Sequence, residues 1–493
     1  MKRLTMIMHT PFRLATLLGA LVLAGCAVGP DYHRPDVPAP GQFKEATLSP
    51  EAAKQWKAAQ PADALSRGRW WAIFNDAALD ALEERALSAN QDLRVAAARV
   101  RQARALRQRA QSDRFPTVDG GFGPMRQRSS TAAQGQPEEA SPTIQTLWRT
   151  QIGASYEADL FGRVASEVDA ATADAQQSAA LFESVTLTLQ ADVAQAYFLI
   201  RRLDAEQALY RRTVDLRSRT LELVQQRYQE GDISELDLAR ARSALSSARS
   251  EAMGVERERA VAEHALATLL GTTPAGFSMP ADPLNRVSVE IPAGLPSSLL
   301  ERRPDIAAAE RAMAAANARI GAAQAAFFPR LTLTGALGYE SAELGNLLEW
   351  SSRTFLLGPL VGTVLSLPIF DGGRREAGLE RARARYEEDV AAYRQTVLQA
   401  FREVEDGLSS LRILAEQTEV QDAAVAQASR AAELSQIQYR EGSVSYLDVI
   451  DADRDVLQQQ RASVRLDGDR AQVAVALIRA IGGGWSVSSS STP

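Results

Sequence analysis

From Leu147 to Leu160 apolar and polar residues alternate for more than a dozen positions. Trp148, Thr150, Ile152, Ala154, Tyr156, Ala158 and Leu160 share one face, and Arg149, Gln151, Gly153, Ser155, Glu157 and Asp159 the other. A period of two held over that length predicts a strand with one oily and one wet side, long enough to cross a bilayer within a barrel. The same alternation returns at Leu331, Leu333, Leu337 and Tyr339, and again at Phe355, Leu357, Val361, Leu365, Leu367 and Ile369, whereas the stretch from Thr117 is weaker. The predicted strands are about 117–124, 147–160, 330–340 and 355–370. Behind each strand pair runs a segment without Pro and almost without Gly, Val164 to Tyr228 and Arg374 to Tyr439. Either would make a helix of about 100 Å, which rules out a conventional compact core. Leu181, Val185, Leu189, Val193, Ala196, Leu199 and Leu203 form a narrow apolar stripe suited to helices packed side by side around water. A coiled-coil dimer would explain that stripe too, but not the strands. Gly231 and Gly442 turn the chain back, so helical hairpins are expected at about 164–270 and 374–480. Shorter helices, about Leu82–Arg114 and Ser298–Phe327, end at the prolines of two Phe-Pro pairs.

The chain is written twice. Arg227-Tyr228-Gln229-Glu230-Gly231 returns as Gln438-Tyr439-Arg440-Glu441-Gly442, and Ser234, Leu236 and Asp237 as Ser445, Leu447 and Asp448, all displaced by 211. Phe115-Pro116 returns as Phe328-Pro329 displaced by 213, so the strand region of the second copy is two residues shorter, as a surface loop tolerates. Each copy reads helix, β-hairpin, long helix, helix, over 81–271 and 298–482. Residues 26–80, 272–297 and 483–493 fall outside the repeat, the last a Ser-rich tail expected to be disordered.

Composition mainly removes chemistries. One cysteine and three histidines exclude an internal disulfide and a Cys/His zinc site. His9 and His33 lie in or just after the leader, and His264 sits among Ala and Leu at helical spacing, a poor setting for a catalytic base. A net charge of −6 argues against nucleic acid as a partner. Lys2, Arg3 and Arg13 precede an apolar run from Leu14 to Ala24, too short to span a membrane, which predicts a signal peptide over residues 1–25. The run ends Leu23-Ala24-Gly25-Cys26 and resembles a bacterial lipobox. Diacylglycerol and an N-acyl chain on Cys26 are then expected, with no cofactor and no metal; the alternative is an ordinary signal beside a free cysteine. Two or three acyl chains hold a protein at a membrane more firmly than one. Ala27 in place of Asp implies sorting to the outer membrane.

Two hairpins supply four membrane strands, and four cannot close a barrel, because an open edge in lipid is too costly. The protein must oligomerise. Two copies give eight strands and a filled lumen; three give twelve and room for water.

Several motifs together resemble the outer membrane factors of tripartite efflux systems, TolC-like and NodT-type lipoproteins in particular. They are Cys26-Ala27-Val28-Gly29-Pro30-Asp31-Tyr32 with Arg34-Pro35; Trp70-Trp71 with Phe74, Asp76 and Leu79; Glu301-Arg302-Arg303-Pro304-Asp305-Ile306; Leu367-Pro368-Ile369-Phe370-Asp371-Gly372-Gly373-Arg374; and the two Tyr-x-x-Gly turns. The resemblance covers essentially the whole mature chain. It implies a mainly α fold with a membrane β part, a homotrimeric twelve-stranded barrel continued by a long α-helical barrel, and an equatorial region built from 26–80 and 272–297. It further implies a passive exit duct for drugs or solutes with no enzymatic activity, set among outer membrane lipids with its helical part in the periplasm. Its partners would be a periplasmic membrane-fusion adaptor and an inner-membrane pump, most often of the resistance-nodulation-division (RND) type.

Site residues follow from the same resemblance. Asp448 and Asp451, three apart and so on one helix face, match pore-constricting carboxylates that would form rings in a trimer; a solvated helix start is the plain alternative. Tyr439 and Asp237 match a gate-latching hydrogen-bond pair between neighbouring coils. Val444 stands where some relatives place a latching arginine, which leaves Arg240 or Arg440 as candidate helpers. Gly231, Asp232, Ile233, Ser234, Gly442, Ser443, Val444 and Ser445 would be hairpin tips contacting the adaptor, besides their turn-forming and capping roles. A lipidated coiled-coil adaptor or scaffold is the main rival, disfavoured because it would carry one hairpin between compact β domains. A hydrolase using paired carboxylates is a second, disfavoured because the acids sit on long helices without a Gly-rich turn beside them.

Overall fold

The computed structural model describes residues 28–37, 43–45, 68–128, 144–286, 302–357 and 365–483, with isolated positions between 129 and 143. The signal peptide and Cys26 lie outside the described residues, as does nearly all of the tail. The helices are α1 (Ala77–Ala89), α2 (Gln91–Ser112), α3 (Arg163–Gln229), α4 (Glu235–Leu269), α5 (Pro304–Ala325), α6 (Arg374–Arg440) and α7 (Tyr446–Ala480). The strands are β1 (Thr117–Arg128), β2 (Ile144–Ala158), β3 (Arg330–Ser341), β4 (Arg353–Leu357) and β5 (Leu365–Ser366). At 67 residues each, α3 and α6 are about 100 Å long. No helix among the described residues is long and apolar enough to cross a membrane.

Two expectations are corrected. The helix foreseen over 82–114 begins at Ala77 and is interrupted at Asn90, which adopts an extended backbone. The Asn90 side chain accepts from the Leu93 amide and donates to the Leu269 carbonyl, so a side-chain cap does what no Pro or Gly was there to do. The strand foreseen over 355–370 is β4 plus the two residues of β5, with 358–364 outside the described residues and 367–370 in no regular element.

The chain divides into two compact units, one built from residues 1–35, 100–178 and 309–393, the other from 36–99, 179–308 and 394–493. The first unit holds an antiparallel sheet in the order β1-β2-β3-β4, with β5 pairing β3 beyond β4. Its register sorts side chains cleanly. Ile152 stands opposite Gly120 and Leu337, and Leu337 opposite Phe355, so these four share a face. Val118, Phe122, Trp148 and Leu333 join them by the alternation of strand residues. Phe122, Ile152, Leu337 and Phe355 are all more than half exposed. The opposite face carries Asp119, Gln151, Ser155, Thr332 and Thr334, and an ion pair between the cross-strand partners Arg149 and Glu340.

A strap of chain, residues 28–35, lies on α5 in this unit. Tyr32 donates to the Glu310 carboxylate (2.8 Å), Arg34 to the Tyr393 hydroxyl (2.9 Å), and Asn317 to the Pro30 carbonyl (2.8 Å). Gly29 crosses the helix at Gly321 so closely that a Cβ on Gly29 would sit 2.8 Å from the Gly321 Cα.

The second unit packs α1 and the Trp70–Phe74 turn against α3, α4 and α7. Trp70 donates to Gln190 at 2.9 Å, and Asp76 caps α1 by accepting from the Ala78 and Leu79 amides. Residues 277–286 are tied to α3 through buried Asp204, which accepts from Arg201, Arg259 and the Asp282 amide. Glu206 is equally buried and meets Arg461 and Arg465 of α7. Each of these carboxylates has arginine partners. Glu83 is different: it occupies the wholly buried face of α1 with Leu79 and Ala86, and neither of its oxygens has a hydrogen-bond partner among the described residues. Burial, reinforced by the neighbouring Asp80 charge, pushes its carboxyl from 4.5 up to about 9.

Candidate functional site

The two hairpin tips, both in the second unit, are built alike. After α3 the Asp232 amide donates to the Arg227 carbonyl (2.9 Å) and the Gly231 amide to the Tyr228 carbonyl (3.1 Å). After α6 the Ser443 amide donates to Gln438 (2.9 Å) and the Gly442 amide to Tyr439 (3.1 Å). This closure needs a left-handed residue, and Gly231 (φ 84°) and Gly442 (φ 77°) supply it. Ser234 and Ser445 then start the return helices as N-caps. Gly231, Asp232, Ser234, Gly442, Ser443 and Ser445 are exposed, and Ile233 and Val444 are half-buried.

The tips meet in an apolar cluster. Val224 of α3 and Leu238 and Ala241 of α4 pack with Tyr446, Val449 and Ile450 of α7, flanked by Ile233 and Tyr439. The Arg227 guanidinium lies 5.3 Å from the centre of the Tyr439 ring, which in turn packs on Tyr446 at 5.5 Å. A cation over a tyrosine face attracts it, more strongly as water is excluded, so this contact joins the first hairpin to the second.

Tyr439 and Asp237, the expected latching pair between neighbouring coils, are not hydrogen-bonded to each other among the described residues of one chain. The Tyr439 hydroxyl is buried and has no partner among the described residues. Asp237 instead accepts from the Ser234 hydroxyl at 2.8 Å and pairs with Arg240 at 3.6 Å, all on its own helix end. Arg440 turns back to the Gln436 carbonyl of its own helix (3.4 Å). Neither candidate helper bridges the hairpins.

Asp448 and Asp451 are both exposed, on the side of α7 away from buried Val449 and Ile450. Asp448 closes a capping box, accepting from the Ser445 hydroxyl (2.7 Å) and amide (2.9 Å), and those bonds hold its carboxyl below the usual range. Asp451 lies 3.4 Å from Arg454 in a solvated pair. The two acids sit in different chemical settings despite their shared face.

Sequence reasoning missed a second cross-hairpin contact. Asp453 of α7 is raised by burial, held down in part by a hydrogen bond from Gln436 (3.1 Å) and by the Arg217 charge. Arg217 of α3, itself lowered by burial, donates to the Ala244 carbonyl at 2.8 Å. These residues border a cavity of about 370 Å³ lined also by Leu209, Glu433 and Leu457. No local signal marks the cross-hairpin partners of Arg217, within α3, or of Arg227, in its last turn, because each partner is more than 200 residues away. No cluster of metal-ligating side chains exists among the described residues.

A family described as outer membrane efflux protein matches this chain twice, over residues 82–272 and 295–483. The cation efflux system protein CusC of Escherichia coli O6:H1 is 33% identical over 485 residues, covering 97% of this chain and 99% of that protein. The toluene efflux pump outer membrane protein TtgI of Pseudomonas putida is 35% identical over 493 residues, covering 97% and 99%. Among solved structures, the outer-membrane channel OprN superposes with a TM-score of 0.83 at 30% identity, covering 93% of this chain and all of that one.

Proposed function

The chain belongs to the outer membrane efflux protein family, and from that premise we propose that it is the exit duct of a tripartite efflux pump, closed as a homotrimer. It is an outer-membrane efflux channel with a periplasmic helical part, and a conduit rather than an enzyme. The trimer rests on one observation above all, the sheet whose two faces differ in kind. Phe122, Ile152, Leu337 and Phe355 stand exposed on one side while the polar and charged row occupies the other. Water wants the second face and lipid the first. The lines of β1 and of β4 with β5 are open edges, and three copies joined edge to edge give twelve strands, enough for an aqueous lumen. Heat-modifiable migration of the detergent-extracted protein from the outer-membrane fraction tests this reading. A chain that stays soluble and monomeric with Cys26 replaced would overturn it.

The finer parts of the proposal are these. Cys26 carries the acyl anchor; the strap that begins two residues later is fastened to the unit holding the strands, which supports an anchor near the membrane. Asp448 and Asp451 line the narrow periplasmic end, and the apolar cluster with Tyr439 and Arg227 keeps the tips together when the duct is shut. The exposed turns at 231–234 and 442–445 receive the hairpins of a periplasmic adaptor, recruited with an inner-membrane pump of the RND type. Relatives named for cations and for toluene match this chain over nearly its whole length. Cargo is therefore chosen mainly by the pump and adaptor.

A further inference from the structure

At one end of the sheet β1, β2, β3 and β5 each adjoin a helix, and each of those four junctions carries both an arginine and a phenylalanine. The register fixes the common end: Thr117 pairs with Ser155, Ala158 with Leu331, and Arg330 with Ser366. Over residues 113–116, 159–163, 326–330 and 367–375 there are five arginines against three aspartates. Arg163 is engaged by Glu157 and Glu167, and Arg375 by Asp371. Arg114, Arg330 and Arg374 are exposed, with no ion pair or side-chain hydrogen bond among the described residues. Phe115 stands 68% exposed beside Arg114.

We propose that this arginine and phenylalanine belt binds the phosphates of anionic phospholipid headgroups in the leaflet that faces the helical part of the protein. The idea rests on the reading of the sheet as membrane-spanning. An exposed aromatic ring next to an unpaired cation suits the headgroup layer, where the ring takes the acyl boundary and the guanidinium the phosphate. Lipid is favoured over a second copy as the occupant because the three exposed arginines left without an ion pair carry one sign and phosphate supplies the other. The chain itself supports the level assigned. The Val28 amide meets the Phe161 carbonyl at this same belt (3.5 Å). At most about 7 Å of chain then separates it from Cys26, so acyl anchor and phosphate sites fall at one depth.

The test uses the full chain reconstituted in vesicles of phosphatidylcholine, with or without phosphatidylglycerol, and native mass spectrometry of the lipid kept after extraction. The unmodified protein should retain phosphatidylglycerol beyond its share of the bilayer, less so as salt rises. The variant Arg114→Gln/Arg330→Gln/Arg374→Gln should lose about fivefold in that preference per arginine, and Arg→Lys at the same positions should keep most of it. Equal retention by the unmodified protein and the Gln variant overturns the proposal. So does a Gln variant that falls apart into monomers with its lipid preference intact, since the surface would then belong to a second copy. If the unmodified protein fails to conduct in pure phosphatidylcholine bilayers, the membrane reading of the sheet is what has failed; conduction without lipid preference sinks only the belt.

Discussion

Replacing Glu83 with leucine should stabilise the protein and remove a large part of its pH dependence. Glu83 is fully buried between Leu79 and Ala86 on α1, its oxygens without a partner among the described residues, its carboxyl lifted from 4.5 to about 9. Between those values the folded chain holds a proton that the unfolded chain has released, so folding takes one up and stability falls as pH rises through that window. At pH 7 the uptake costs about 3 kcal/mol, and from pH 5 to pH 8 the loss amounts to about 4 kcal/mol, before any gain from burying an apolar side chain instead. Below pH 4.5 both states are protonated and the cost vanishes. The assay is unfolding of the full chain in detergent, followed by circular dichroism at pH 5 and pH 8. All other titrating groups are common to both proteins, so the difference between unmodified protein and Glu83→Leu isolates this carboxyl. Glu83→Gln should flatten the pH dependence as well while still burying an unpaired amide, and so should stabilise less. A difference that is the same at both pH values would refute the reasoning, because it would mean that Glu83 is charged in the folded state or finds a partner there.

The other predictions concern the tips and the strap. Asp448→Asn with Asp451→Asn should lower the cation selectivity of single channels in planar bilayers; an unchanged reversal potential would remove both from the pore. Tyr439→Phe should leave resting conductance as it is, since the hydroxyl has no partner among the described residues, whereas Tyr439→Leu and Arg227→Gln should each raise it by loosening the joint between hairpins. If the Phe variant opens as readily as the Leu variant, the hydroxyl and not the ring holds the gate. Gly29→Val should lift the strap from α5, at a cost of about 1–3 kcal/mol for overpacking, and make residues 28–35 a protease target; resistance equal to that of the unmodified chain would contradict the close crossing at Gly321.

Much of this architecture was readable because its causes are local and repeated. Sixty-seven residues without a breaker become one helix, and strict alternation from Trp148 to Ala158 becomes a strand with two unlike faces. What stayed hidden depends on partners far along the chain. Asn90 ends α1 by bonding to Leu269, and nothing in the sequence around it distinguishes it from any polar residue on a helix. Glu83 is one of three acids along α1, and nothing local sets it apart as the one that is fully buried. At the tips, the turns were legible from Gly and Ser, but the contacts of Asp237 were not: its carboxylate accepts from Ser234, the serine that caps its own helix.

That last point sharpens what duplication has done to the tips. Positions displaced by 211 can be compared directly. Asp237 and Asp448 are equivalent, and both bond to the serine that caps their helix. An acid at this position therefore has a structural reason in each copy, and its charge comes with it. Three residues on, the copies part: Arg240 in the first stands where Asp451 stands in the second. Likewise Arg227, which covers the Tyr439 ring, is matched by Gln438, and Tyr439 is matched by Tyr228, which is exposed. The shared residues build the turn, while the unshared ones set charge and contact. If three chains alternate the two kinds of tip around an axis, the level of Asp237 and Asp448 is uniformly acidic and the level of Arg240 and Asp451 alternates in sign. Selectivity for cations would then come chiefly from the capping acids, and the alternating level would be suited to holding neighbouring tips together. The two copies thus keep the turn in common and differ in charge at the few positions beyond it.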